Sequence, residues 1–348
     1  MVTRLYLLTL ALCGNLACAA VPSVPTIPVV PSAQQVSPPQ IKQTSSSQLA
    51  GEEVSSIEIA EWCRNLEAEI KKLGWTLPPC GGVMWKAEKR SVLGRPLVYA
   101  EFGDPSAGNS TLIFTMVHSD EVTPLYLGLE LAQMLTRQAA LHGAVKGSHV
   151  VVAPLVNPDG FFRRTRTRTN ANKVDLNRNL ATGDWERDAV RLWKAKFSSN
   201  QRRFPGHRPA SEPETVFQQE LILRFKPQKI LSIHAPLNFM DYDGPANLKL
   251  ARFPKEYVQE CLKLRARLKA VSGGFFPGSL GNFGGQELGI PTVTLELPTA
   301  NPKNAKKYWQ QFFNGITTMI DFVVPVQSTF RHPAVLPAAL TAEKSAEN

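Results

Sequence analysis

A His-x-x-Glu motif and a distant histidine carry side chains that could hold a metal ion. His118 and Glu121 directly follow the apolar run Leu112–Val117, and His234 ends a second apolar run. A catalytic zinc site uses imidazole and carboxylate ligands and leaves one position open for water. Such a tetrad occurs by chance in many proteins, and a lone histidine at a strand end is more often a structural residue. The three residues together predict a zinc site with His118, Glu121 and His234 as its ligands.

A fourth polar residue at a strand end supplies a carboxylate that the metal does not need. Glu296 follows the apolar residues Thr292–Leu295. A carboxylate beside an activated water accepts its proton as a general base. We therefore expect Glu296 to be the catalytic base, acting on water that the zinc ion activates.

Short apolar runs alternate with amphipathic segments along the middle of the chain. The strand candidates are Leu112–Val117, His149–Pro154, Lys229–His234 and Thr292–Leu297. The helix candidates are Ile57–Leu73, Pro124–Gln138, Glu212–Phe225, Glu256–Ala270 and Ala305–Val323. This alternation predicts an α/β fold whose sheet is at least partly parallel and is covered on both faces. Ligands of such sheets bind beyond the carboxyl ends of the strands, where the four polar residues lie.

The composition divides the 348 residues into four parts. Residues 1–20 are typical of an export signal, with Arg4, an apolar stretch and the small-x-small site Ala17-Cys18-Ala19. Residues 21–51 are a predicted disordered linker rich in Pro, Ser and Gln, because they cannot bury enough apolar area to offset their ordering entropy. Residues 52–325 are the predicted catalytic domain, and residues 326–348 are a predicted flexible tail.

The export signal predicts a periplasmic or secreted protein. Lipoprotein anchoring through Cys18 is less favoured, because Asn15 stands where such a signal prefers an aliphatic residue. No apolar run beyond residue 20 reaches the ~18 residues needed to span a bilayer. We therefore expect no integral membrane span in the mature chain. In an oxidising compartment Cys63 and Cys80 could form a disulfide, the alternative being two buried thiols.

Five motifs in order make the chain resemble the zinc carboxypeptidase family. They are His118-x-x-Glu121, Asn157-Pro158-Asp159-Gly160, Asp175-Leu176-Asn177-Arg178-Asn179, His234 and Glu296. The resemblance implies an α/β/α sandwich around a mixed, mostly parallel eight-stranded sheet. It also implies Zn2+ bound by the three ligands above, with Glu296 as general base and later general acid. Asn177 and Arg178 would clamp a substrate carboxylate, which a planar guanidinium grips through two parallel hydrogen bonds.

The resemblance further implies an arginine, shortly after the Asn-Pro-Asp-Gly motif, that polarises the scissile carbonyl and holds the oxyanion. Counting forward from Gly160 favours Arg163. Counting back from Asp175 favours Arg166 or a neighbour such as Arg168. We predict Arg163 as the catalytic arginine and Arg166 as a substrate-binding residue, the remaining arginines belonging to a solvated loop.

The predicted substrate pocket differs from that of the digestive members of the family. Their mobile tyrosine falls at Gly274 in an ungapped alignment, which puts a phenolic hydrogen bond to the substrate in doubt. The glycine-rich stretch with Ser279 and Gly281 resembles the lining of the pocket on the leaving side of the bond. A turn before the last core strand is the alternative interpretation. Asp241 or Asp243 could pair with a substrate ammonium group, or both could be turn-forming residues before Gly244.

Further segments resemble a bacterial branch of the family, the murein peptide amidases and γ-D-glutamyl-diaminopimelate peptidases. These segments are His234–Asn238, Asp241–Pro245, Ser211–Thr215 and Leu288–Pro291. That branch cuts the amide between the side-chain carboxyl of D-glutamate and meso-diaminopimelate in peptidoglycan stem peptides. The resemblance therefore implies a zinc peptidase of the bacterial envelope with a stem-peptide substrate.

The net charge of +10 suits an acidic wall polymer, since positive charge concentrates anionic substrates. The charge alone would equally suit a membrane surface or nucleic acid, and we expect no nucleic-acid partner. The sequence does not define an oligomeric state. Three alternatives stay open: a general metallocarboxypeptidase, an acylase-like zinc deacylase, and a non-catalytic wall-binding protein. The Asn177–Arg178 clamp favours a peptidase over a deacylase, and the intact ligands with Glu296 favour an enzyme.

Overall fold

The computed structural model describes residues 54–142, 147–244, 268–270 and 276–324. The predicted export signal (1–20), linker (21–51) and tail (326–348) lie outside these ranges and stay predictions. All described residues belong to the predicted catalytic domain, residues 52–325.

The described helices surround a central sheet. They are α1 (Ser56–Lys72), α2 (Thr123–His142), α3 (Pro158–Phe161), α4 (Trp185–Phe197), α5 (Pro213–Phe225) and α6 (Ala305–Asp321). The strands are β1 (Lys86–Arg90), β2 (Pro96–Gly103), β3 (Ser110–Thr115), β4 (His149–Ala153), β5 (Lys229–His234), β6 (Phe239–Asp243), β7 (Leu268–Ala270) and β8 (Thr292–Glu296). Within the described ranges, none of the helices combines the length and apolar character that crossing a bilayer requires.

The strands form a mixed sheet in the order β1-β2-β4-β3-β5-β8-β6-β7. The four central strands β4, β3, β5 and β8 are parallel, whereas β2 and β6 pair with them in antiparallel fashion. The edge strand β7 has only three residues and pairs with β6. Because the central strands point the same way, their carboxyl ends meet at one edge of the sheet. The loops that leave β3, β4, β5 and β8 are therefore neighbours.

Alternate strand residues enter two separate hydrophobic cores, one on each face of the sheet. Along β4, Val150 and Val152 join the core that also contains residues of α1, α2 and α6. Val151 and Ala153 join the core that contains residues of α5. The prediction of a mixed sheet covered by helices on both faces is confirmed.

The strands that the sequence predicts correctly are those with a strong apolar pattern. The four predicted strands are β3, β4, β5 and β8, which form the buried centre of the sheet. The helix predicted over Glu256–Ala270 lies outside the described residues up to position 267, and its last three residues form strand β7 instead. Strands β1, β2 and β6 and helix α4 were not predicted. The sequence of β1, KAEKR, is charged at the edge of the sheet and carries no strand-like apolar pattern.

A disulfide joins α1 to the loop that precedes β1. Cys63 and Cys80 are bonded, with their Cα atoms 5.8 Å apart. This geometry agrees with the predicted pairing. The bond closes a short loop and limits the freedom of the unfolded chain around it.

Candidate active site

The loops that leave the parallel strands bring the predicted site residues to one edge of the sheet. Met116, just past β3, has a φ of 53°, and its carbonyl accepts a hydrogen bond from the Asn157 backbone N–H at 3.0 Å. This left-handed residue turns the chain off β3 and directs His118 towards the sheet edge. His234 and Glu296 are the last residues of β5 and β8 and stand opposite each other in the parallel register.

The predicted metal ligands converge in the interior. His118 Nδ1 lies 2.9 Å from Glu121 Oε1, and His234 Nδ1 lies 3.0 Å from Glu121 Oε2. The two Nδ1 atoms are 3.1 Å apart. All three residues are buried, and one potential ligand atom from each lies within 4.8 Å of the others. The structure thus brings together the complete ligand set that the sequence predicts.

The Nε2 atom of each histidine lies within hydrogen-bond distance of a polar side chain. His118 Nε2 lies 3.1 Å from Asp175 Oδ1, and His234 Nε2 lies 2.9 Å from Ser232 Oγ. Burial acts to raise the pKa of Asp175, but the Arg168 guanidinium and the hydrogen bond with His118 outweigh it and hold that pKa well below its usual range. An ionised Asp175 only accepts hydrogen bonds, so His118 must donate from Nε2.

The donor set therefore fits a cation. When neutral His118 donates from Nε2, its Nδ1 carries a lone pair that faces the Glu121 carboxylate, and two acceptors stand 2.9 Å apart. A divalent ion between the three ligands removes this conflict, and a histidine oriented by a carboxylate is the usual arrangement around zinc. His118, Glu121 and His234 are the residues that would hold it.

Arg168 is the arginine that reaches the metal ligands. Its Nε donates to Asp175 Oδ2 at 2.9 Å, and its Nη1 donates to Glu121 Oε1 at 3.3 Å. Burial acts to lower the pKa of Arg168, but Asp175 and Glu121 outweigh it and raise that pKa. With Nε and Nη1 engaged, Nη2 is the donor that remains for a substrate.

The two arginines that we predicted lie elsewhere. Arg163 is exposed and does not line the cleft. Arg166 pairs with Glu69 at 3.2 Å and lies over the Phe161 ring, also away from the cleft. Arg168 is one of the neighbours that counting back from Asp175 left open. The structure thus places Arg168, rather than Arg163 or Arg166, beside the predicted metal ligands.

Glu296 lines the same cleft as the metal ligands. Burial raises the pKa of Glu296 above its usual range, and the nearby Glu121 carboxylate adds to the effect. Its Oε2 accepts a hydrogen bond from the Leu237 backbone N–H at 3.4 Å. A carboxylate with a raised pKa is a better proton acceptor, which suits the predicted general base.

The predicted carboxylate clamp also faces the cleft. Arg178 is buried and its Nη1 donates to the Asn177 carbonyl, while its Nε has no hydrogen-bond partner among the residues that the structure describes. Its guanidinium lies 4.3 Å from the centre of the Phe276 ring. Burial lowers the pKa of Arg178 to about 10, so it stays charged at neutral pH. The Asn177 Oδ1 accepts from the Leu280 N–H at 2.7 Å, which fixes this residue in the cleft wall.

The remaining predicted pocket residues line the cleft as well. Asp241, Ser279 and Gly281 are all found there, and the cleft has a volume of ≈ 550 Å³. A Cβ atom added to Gly281 would stand 2.0 Å from Asp243 Oδ2, so the backbone packs directly against this carboxylate. Gly274, where the family tyrosine would fall, lies outside the described residues.

Several residues of the site were not predicted. Asp175 is the first residue of the Asp-Leu-Asn-Arg-Asn motif, and its position in that motif was the available signal. Ser232 stands two residues before His234 in β5, where strand alternation brings both side chains to the same face. No sequence pattern indicated that Arg203, Phe197 and Phe276 would line the cleft.

Comparisons with known proteins agree with this geometry. The family model described as zinc carboxypeptidase matches residues 88–249. Murein peptide amidase A of Escherichia coli (strain K12) is 32% identical over 221 residues, which are 63% of this chain and 83% of that protein. The chain belongs to the zinc carboxypeptidase family. Murein peptide amidase A of Vibrio campbellii is also 32% identical, over 216 residues that are 60% of this chain and 77% of that protein.

A solved structure supports the fold of this zinc carboxypeptidase. Carboxypeptidase A from Helicoverpa armigera superposes with a TM-score of 0.56 at 17% identity, over 78% of this chain and 73% of that chain. Family membership makes the protein a hydrolase with zinc as its metal, and the His-Glu-His group could bind a metal ion. A non-catalytic protein of this fold is not supported.

Proposed function

We propose that this zinc carboxypeptidase hydrolyses the amide bond between γ-linked D-glutamate and meso-diaminopimelate in peptidoglycan stem peptides. The observation that carries the proposal is the placement of the buried Arg178 in the cleft that also holds the His-Glu-His group, with an Nε that has no partner within the described ranges. Relatives named murein peptide amidase A, 32% identical to this chain, support murein peptides as the substrate.

The chemistry divides between the metal and four side chains. When bound, zinc supplies Lewis-acid polarisation of the scissile carbonyl and acidifies water. Glu296 takes the proton from the attacking water and later gives it to the leaving amine. The Nη2 group of Arg168 donates to the oxygen that gains negative charge. Arg178 and Asn177 hold a carboxylate of the diaminopimelate residue and so fix the scissile bond against the site.

The location that we propose is the periplasm or the cell exterior. The support is the export pattern of residues 1–20, together with a disulfide between Cys63 and Cys80. Disulfides persist in oxidising compartments and are rare in the cytosol of mesophiles. The peptidoglycan substrate lies in the same compartment.

A general metallocarboxypeptidase is the second candidate, because a buried guanidinium would bind the terminal carboxylate of any peptide. The two functions are separated by comparing kcat/KM on L-Ala-γ-D-Glu-meso-diaminopimelate with kcat/KM on a panel of C-terminal dipeptide substrates. We expect the murein tripeptide to be the better substrate by at least tenfold. Equal or faster turnover of the dipeptide panel, with zinc bound, would refute the murein assignment.

A further inference from the structure

Two aromatic rings in the cleft wall carry three cations. Phe197 and Phe276 pack with their ring centres 5.4 Å apart. The guanidinium of Arg178 and the Lys196 Nζ lie over the Phe276 ring at 4.3 Å and 4.5 Å, and the Arg203 guanidinium lies 5.5 Å from the centre of the Phe197 ring. A cation that contacts the face of an aromatic ring, and not a carboxylate, can still pair with an anion.

Arg203 has the environment of an anion-binding residue. It is half-buried, lines the cleft, and has no acidic group within 4 Å in the described part of the chain. Its neighbour Arg202 differs, because Arg202 pairs with Asp120 at 2.6 Å. Burial lowers the pKa of Arg203, with the charge of Arg168 adding to the effect, and an arginine remains protonated under such conditions. The backbone is fixed by a hydrogen bond from the Arg203 N–H to the Asn200 carbonyl at 2.9 Å.

Arg203 lies near the loop that follows β3, whereas the Asp243 carboxylate lies on β6. The Arg202–Asp120 ion pair fastens the segment Gln201–Arg203 to the loop that follows β3. The Asp243 carboxylate, against which Gly281 packs, belongs to β6 on the far side of β5 and β8. A substrate whose leaving-residue carboxylate is held by Arg178 therefore meets a second cation, Arg203, across the Phe197–Phe276 ring pair.

We propose that Arg203 binds a carboxylate on the acyl residue of the substrate, namely the free α-carboxylate of a γ-linked glutamate. This inference rests on the proposed function and adds a specificity residue to it. An ordinary α-linked peptide uses that carboxyl group in its backbone, whereas a γ-linked glutamate leaves it ionised on Cα, separated from the scissile carbonyl by the side-chain carbons. Arg203 would thus favour γ-linked over α-linked substrates, and acid over amidated stem peptides.

The test uses a zinc-loaded Glu296→Gln protein, so that binding is measured without turnover. Titration calorimetry compares L-Ala-γ-D-Glu-meso-diaminopimelate with the same peptide carrying an α-carboxamide on its glutamate. We expect the acid to bind about tenfold more tightly than the amide, as for loss of one hydrogen bond between charged partners. Adding Arg203→Gln should bring this ratio close to one, and Arg203→Lys should retain part of it.

Arg208→Gln is the matched control, because Arg208 is an exposed arginine shortly after Arg203 in the sequence and does not line the cleft. It removes the same net charge and should leave the tenfold ratio unchanged. Two results would overturn the inference. One is equal affinity of the Glu296→Gln protein for the peptide with the free α-carboxylate and the peptide with the α-carboxamide. The other is an affinity ratio that does not change when Arg203→Gln is added. Wild-type turnover of the tripeptide is measured separately. Its absence with zinc bound refutes the proposed function, whereas turnover with an unchanged ratio refutes only the role of Arg203.

Discussion

Asp175 Oδ1 lies 3.1 Å from His118 Nε2, on the opposite side of the imidazole from Glu121. Asp175 is fully buried and also accepts a hydrogen bond from Arg168 Nε at 2.9 Å. One carboxylate thus fixes the tautomer of a metal ligand and the position of the arginine beside it. The motif that contains Asp175 continues into Asn177 and Arg178, so a single short segment links metal binding to substrate binding.

Asp175→Asn should weaken zinc binding by about 10- to 100-fold, because the amide no longer enforces a lone pair on His118 Nδ1. Competition with a chromogenic chelator measures the affinity directly. Asp188→Asn is the control, since Asp188 lies outside the cleft and pairs with surface arginines of α4. Unchanged zinc affinity in the Asp175→Asn protein would show that the carboxylate does not orient the ligand.

Glu296→Gln should reduce kcat by at least about 100-fold, the usual contribution of a positioned general base. Zinc content should remain at one ion per chain, because Glu296 is not among the converging ligands. Elemental analysis and turnover of the tripeptide are measured on the same sample. Glu186→Gln changes an exposed glutamate of α4 and should leave both quantities unaltered. Retained turnover in the Glu296→Gln protein would assign the base elsewhere.

Arg168→Gln should lower kcat by about 100- to 1,000-fold, as for the removal of one oxyanion donor. Arg163→Gln should behave like the wild type, because Arg163 is exposed and lies outside the cleft. Thermal unfolding of both variants checks that the loss is catalytic, since Arg168 also pairs with Asp175. If Arg163 were essential and Arg168 dispensable, the assignment of the oxyanion donor to Arg168 would be contradicted.

Glu214 should make the folded protein less stable as the pH rises. It is buried at the start of α5, accepts hydrogen bonds from the Val92 N–H and Asn170 Nδ2, and lies near the Asp159 carboxylate. Burial raises the pKa of Glu214 from 4.5 to about 7. Between these values the folded state keeps a proton that the unfolded state has released. This stabilisation is complete below pH 4.5 and is lost by about pH 7, a change of about 3 kcal/mol.

Urea unfolding of the wild type and of the Glu214→Gln protein at several pH values between 4.5 and 7.5 tests this dependence. Groups common to both proteins cancel in the difference between their unfolding free energies. We expect that difference to shift in favour of the variant as the pH rises. A difference that stays constant over the whole range would mean that Glu214 is already ionised at low pH.

The predictable part of the site is the part fixed by the parallel sheet. His118, His234 and Glu296 follow or end apolar runs, and the carboxyl ends of parallel strands must meet, so their proximity could be predicted without coordinates. The choice of Arg168 could not be predicted, because it depends on a buried pairing with Asp175 across a loop of unusual length. Arg203 depends on the Arg202–Asp120 contact, which joins positions 82 residues apart. Contacts of this kind leave no periodic pattern in the sequence.

Mass spectrometry of the products formed from L-Ala-γ-D-Glu-meso-diaminopimelate tests the central claim most directly. The purified protein is first shown to hold one zinc ion per chain, and the Glu296→Gln protein serves as the inactive reference. We expect free meso-diaminopimelate and the dipeptide L-Ala-D-Glu as the only products, with none formed by the reference. An intact tripeptide, or cleavage between alanine and glutamate, in a zinc-loaded sample would contradict the account.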